Sequence, residues 1–87
     1  MTVVLKCENL LQREQAHLYL AQALTLPDYY GRNLDALYDC ASTMKAELTL
    51  LHPAPMLNAL QGYGCKLLDT LFEAAKHNPG FQFQVED

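Results

Sequence analysis

Tryptophan is missing from this sequence and positive charge is scarce: six Lys and Arg stand against ten Asp and Glu, for a net charge of −4. That shortage excludes the basic stripe with which proteins displace counterions from a phosphate backbone. No nucleic-acid partner is therefore expected, and a basic protein is the complementary one. Cysteine is both scarce and odd in number. Cys7, Cys40 and Cys65 lack CxxC spacing, which argues against a disulfide framework or a zinc site and predicts reduced thiols in the cytoplasm. Long hydrophobic runs are absent too. The apolar stretch Val3–Leu5 is cut short by Lys6 and Glu8, so it cannot serve as a signal-peptide core or a membrane span, and no membrane association is expected. Gly and Pro stand at four each beside 51% hydrophobic residues, a globular mixture and not a low-complexity one.

At 87 residues the chain suits a single domain, residues 1–87, with one core and no need of disulfides. Thr2–Cys7, rich in β-branched residues, predicts a strand. Ala16, Leu20, Ala23 and Leu24 recur at helical spacing within 13–24, leaving Gln15, Tyr19 and Gln22 for the wetter side. Pro27, two tyrosines and Gly31 make Leu26–Arg32 a loop. Asn33 is a suitable N-cap for a second helix whose apolar stripe is Leu34, Leu37, Ala41 and Met44. A second strand is expected over Glu47–Leu51, closed by His52 and Pro53. Pro55–Leu60 predicts a short helix ended by Gly62. Tyr63–His77 predicts a longer one with Leu67, Leu68, Leu71, Phe72 and Ala75 inward. Phe81, Phe83 and Val85 alternate with glutamines as a last strand. Strands separated by helices call for crossovers, so the expected fold is α/β, a three-stranded parallel sheet packed with about four helices.

The second helix carries two distinct faces. Opposite the apolar stripe lie Asp35, Tyr38, Asp39 and Ser42, which at about 100° per residue share one sector and bring two carboxylates into mild repulsion. Across 27–44, Asp28, Asp35 and Asp39 outnumber Arg32 by two, half of the net charge in about a fifth of the length. A solvated surface face accounts for this pattern, and Asp35 in the first turn is favoured by the helix dipole. A recognition face accounts for it too: Asp39 is a weak helix former in mid-helix, and Tyr29, Tyr30 and Tyr38 are of the type enriched at binding hot spots. Spacing alone leaves both readings open.

The segment Leu26, Pro27, Asp28, Tyr29, Tyr30, Gly31, Arg32, Asn33, Leu34, Asp35, Ala36, Leu37, Tyr38, Asp39 and Cys40 resembles the signature segment of the barstar family, with a looser collinear likeness over the whole chain. Barstar-like proteins are intracellular inhibitors of barnase-type ribonucleases. They are built on a three-stranded parallel sheet with helices, and their second helix and preceding loop plug the basic active site of the enzyme. The resemblance implies that Asp39 mimics a substrate phosphate before an Arg and His cluster, that Asp35 meets an Arg-rich wall, and that Tyr29 stacks on a catalytic His. It implies that Asn33, Tyr38, Ser42 and Met44 frame these contacts. It also implies a ribonuclease as protein partner and a monomer when free. Three departures stand out: Tyr38 and Met44 occupy positions where a well-known member has tryptophans, Ala74 occupies that of a late-helix glutamate with Glu73 one step of about 100° away, and Arg32 adds a positive charge. They point to a different cognate enzyme or to weaker inhibition of barnase itself.

His17, His52 and His77 have no partners at metal-ligand spacing, so they are expected to be structural or solvated and no metal or other cofactor is expected. Cys40 borders the apolar stripe and reads as a core thiol. No nucleophile elbow, phosphate-binding Gly loop or catalytic carboxylate pair is present, so the chain is not expected to be an enzyme. Two other functions remain compatible with the sequence: immunity against a toxin other than a barnase-type ribonuclease, and a self-association module using the exposed tyrosines.

Overall fold

The β-branched run at one end of the chain and the Phe–Gln alternation at the other become the outer strands of one sheet. The computed structural model describes all 87 residues. In chain order it contains β1 (Thr2–Lys6), a 3-10 turn (Cys7–Asn9), α1 (Arg13–Ala23), α2 (Leu34–Ala41), β2 (Ala46–Leu51), α3 (Ala54–Leu60), α4 (Gly62–His77) and β3 (Phe81–Glu86). The sheet order is β1-β2-β3 with both pairs parallel, Leu5 opposite Leu50 and Leu48 opposite Phe83. Parallel neighbours need a crossover, and the helices supply it.

Alternation decides which side of the sheet is dry. Leu5, Leu48, Leu50, Phe81 and Phe83 point to one face and join a single core with Ala16 and Leu20 of α1, Leu37 and Ala41 of α2, Met56 of α3, and Leu67, Leu71 and Ala74 of α4. On the other face, Val4, Glu47, Gln82 and Gln84 are exposed and no residue is buried. The helices therefore share one face. Parallel sheets are usually covered on both sides. Here the open side is polar enough to be wetted, and Gln84 Nε2 donates to Thr49 Oγ1 across it at 3.0 Å.

Several element ends differ from the sequence expectation. α2 stops at Ala41, so Met44 lies in the turn to β2 and not on the helix. The last helical bond is Ser42 N–H to Tyr38 O at 2.8 Å, joined there by Ser42 Oγ at 2.6 Å, and Asn78 Nδ2, from beyond α4, then holds the turn by donating to both Ala41 O and Met44 O at 2.9 Å. The break between α3 and α4 falls at Gln61, with φ 52° and ψ −127°, while Gly62 opens α4. Gly64 is the glycine that packing requires. A Cβ there would lie 3.3 Å from Leu57 Cδ2 and 3.4 Å from Leu60 Cβ, so α3 and α4 cross closely.

Two side chains depart from the burial expected of them. Phe72 is 46% exposed, covering Phe83 edge-on at 4.7 Å, and the inward positions of α4 are Gly64, Leu67, Leu71 and Ala74. Tyr19 is half-buried and its hydroxyl accepts the Lys6 backbone N–H at 3.0 Å.

Candidate functional site

An eight-residue helix is too short to persist alone in water, so α2 depends on its cap and on one buried side. Asn33 supplies the cap: its Oδ1 accepts the Ala36 N–H at 2.8 Å, while its Nδ2 donates to Gly31 O at 3.2 Å. Arg32, with φ 55°, turns the chain into that position. Leu37 and Ala41 are fully buried, and Leu37 alone contributes about 2–3 kcal/mol by leaving water. With that side fixed, Asp35 and Asp39 face solvent, and Tyr38 and Ser42 are half-buried. Neither aspartate has a cationic side-chain partner; the chain's one contact between a carboxylate and a basic side chain is Glu73 to His77 Nε2 on α4, at 3.4 Å.

The exposed side of α2 is a ridge with a depression along each flank. One, of about 540 Å³, lies between α2 and α4 and is bordered by Asp35, Tyr38, Lys66, Asp69, Thr70 and Glu73. The other, of about 400 Å³, lies toward the preceding loop and is bordered by Leu26, Pro27, Tyr29, Asp39, Thr43 and Met44. Asp35 and Asp39 share a face by spacing, yet they border different depressions. Tyr29 and Met44 do come together with Asp39. Two other residues of the set spend their polar groups internally, Asn33 on the cap and Ser42 on the Tyr38 carbonyl.

The loop before α2 is held from behind. Tyr29 is 87% exposed whereas Tyr30 is 7% exposed, because successive side chains point opposite ways here. The Tyr30 hydroxyl lies 2.6 Å from His17 Nδ1, and the Tyr63 hydroxyl lies 2.5 Å from His17 Nε2. A neutral imidazole donates from one nitrogen and accepts at the other, so it can bridge two phenols. Burial pushes the His17 pKa down, with the nearby Arg13 adding to the effect. Burial also raises the phenol of Tyr30 well above its usual range, and it raises the Cys40 thiol, which Asp39 raises further. Cys40 is thus a protonated thiol beside the site.

Of the α4 wall, sequence reasoning weighed Glu73 alone and missed Lys66, Asp69 and Thr70. Lys66, Asp69, Thr70 and Glu73 follow the same i, i+3, i+4, i+7 spacing that singled out α2, so periodicity could have found them. The late-helix departure also reads differently in three dimensions: Ala74 is fully buried, and Glu73 is the exposed acid bordering the groove with Asp35.

The sequence model of the barstar family, described as "Barstar (barnase inhibitor)", matches residues 1–87. The chain belongs to the barstar family. The three parallel strands and four α-helices are a barstar-like α/β fold. A curated relative, "Putative ribonuclease inhibitor YrdF" of Bacillus subtilis (strain 168), is 63% identical over 27 residues, which are 31% of this chain and 30% of the relative. The match thus spans less than a third of that relative's length. No helix of this barstar-family chain is long and apolar enough to cross a membrane.

Proposed function

We propose that this chain is a cytoplasmic, non-enzymatic inhibitor of a barnase-type ribonuclease, and that it occupies the basic active site of that enzyme with the α2 ridge and the loop before it. The observation that carries this reading is Asp39: exposed, without an internal cation, and flanked in one depression by Tyr29 and Met44. A carboxylate offers acceptor-only oxygens to Arg forks, as a substrate phosphate does. Asp35 and Tyr38 meet the enzyme on the opposite flank of the ridge. Asn33 and Ser42 act by holding the ridge in shape, and their surfaces border the contact. The partner is a protein with a basic active site, and the free inhibitor is a monomer.

The test is inhibition of barnase-type ribonucleases by the wild-type chain and by Asp39→Ala. Removing one member of a buried charge pair costs about 2–5 kcal/mol, so the inhibition constant should rise by about 30- to 5,000-fold while the variant stays folded. Inhibition that survives the substitution unchanged would remove Asp39 from its role. The cations Arg32 and Lys66 on an otherwise acidic surface favour a second reading, immunity against a toxin of another type. In that case a panel of barnase-type enzymes is left untouched, while a different basic toxin is bound competitively at its active site.

A further inference from the structure

Between Thr25 and Asn33 only Tyr30 is buried; Leu26 and Pro27 are half-buried and the rest are exposed. The segment has left-handed backbone near each end, at Thr25 (φ 52°) and Arg32 (φ 55°), and its internal backbone bond is Tyr30 N–H to Pro27 O at 2.9 Å. Leu26 ties its start to α1, with its N–H on Ala21 O at 2.9 Å and its side chain against the core; beyond Pro27 the attachment to the body of the protein rests on the Tyr30 side chain. That side chain ends on His17, which is 1% exposed and has its second nitrogen on Tyr63 in the first turn of α4. The Arg13 guanidinium, from the first turn of α1, lies 4.0 Å from the centre of the Tyr63 ring. Cation and ring attract each other at this distance.

We infer that Tyr63 and Arg13 are positioning residues for the recognition loop: through His17 they hold Tyr30, and so set where Tyr29 stands, without bordering either depression at α2. The physical reason is the tautomer. With both nitrogens engaged, one phenol donates to the bare nitrogen and the other accepts from the N–H, so each bond fixes the direction of the other. Without the Tyr63 hydroxyl, Nε2 is a buried polar atom with no partner, and the ring gains a reason to turn away from Tyr30. The stacked Arg13 holds the phenol in the geometry that reaches His17. The inference rests on the proposed function only in what the loop is for.

The experiment is native-state amide hydrogen exchange on the free protein, wild type against Tyr63→Phe, which keeps the ring under Arg13 and removes only the hydroxyl. The Tyr30 amide, whose N–H is held by Pro27 O, should exchange about tenfold faster. Amides of the central strand β2 should keep their rates. Arg13→Gln, an exposed change that leaves the core intact, should give a loss of about threefold at the same amide. Unchanged exchange at Tyr30, or an acceleration shared equally by β2, overturns the inference. With a cognate ribonuclease in hand, Tyr63→Phe should shorten the lifetime of the complex about tenfold and leave the association rate within about twofold, because the surface charge is unchanged. Equal lifetimes would also overturn the inference. Absence of any ribonuclease binding by the wild type would sink the proposed function and leave the exchange result standing.

Discussion

His17 shows how much one residue can depend on its surroundings. It was readable in the sequence only as a histidine without metal partners, and in the fold it is the buried hinge between two phenols. Its pKa is lowered in the folded protein, by burial first and Arg13 second. A histidine whose folded pKa lies below the unfolded value of about 6.5 contributes stability above that pH and loses it as pH falls through the folded value, because the unfolded chain then binds the proton more readily. The urea midpoint should therefore drop between about pH 7.5 and 5. His17→Gln should lower stability at pH 7.5 and flatten that dependence; a variant with an undiminished slope would place the titration elsewhere.

At the scale of elements, the candidate site depends on how helices begin and end. Asn33→Ala removes the N-cap bond and should cost about 1 kcal/mol. It should also weaken ribonuclease binding, because the first turn of α2 carries Asp35; thermal unfolding and an inhibition assay on the same variant check both effects. The α1 terminus is a Schellman motif, with Leu26 N–H on Ala21 O at 2.9 Å and Thr25 N–H on Gln22 O at 3.4 Å, closed by a β-branched residue where glycine is preferred. Gln61 is under greater strain, since φ 52° with ψ −127° is almost a glycine-only conformation. Gln61→Gly should raise stability by about 1 kcal/mol, visible as an increase of about 4–8 °C in Tm. An unchanged or lower Tm would mean that the loss of the Gln61 side chain outweighs the relief.

For the molecule as a whole, the net charge of −4 and the unpaired Asp35 and Asp39 create a negative field that attracts positive charge and decays with salt. The association rate should fall about tenfold or more between low ionic strength and about 0.5 M salt. Lys66, the cation in the α2–α4 groove, works against that field. Lys66→Gln should raise the association rate about twofold at low salt and have no effect at high salt, measured by stopped-flow mixing.

What was legible in the sequence is what local spacing controls. β-Branched residues placed β1, the stop at His52 and Pro53 placed β2, period two placed β3, helical spacing placed α1, α4 and the buried side of α2, and the cap placed the start of α2, because each depends on residues a few positions apart. The end of α2 was not legible: Asn78, from beyond α4, holds the turn that follows it through Ala41 O and Met44 O. Nor was the division of Asp35 and Asp39 between two depressions, the burial of Ala74 beside the exposed Glu73, or the bridge from Arg13 through Tyr63 and His17 to Tyr30. All of these are decided by which elements pack side by side. That is a property of contacts between distant parts of the chain, and only the tertiary structure brings those parts together.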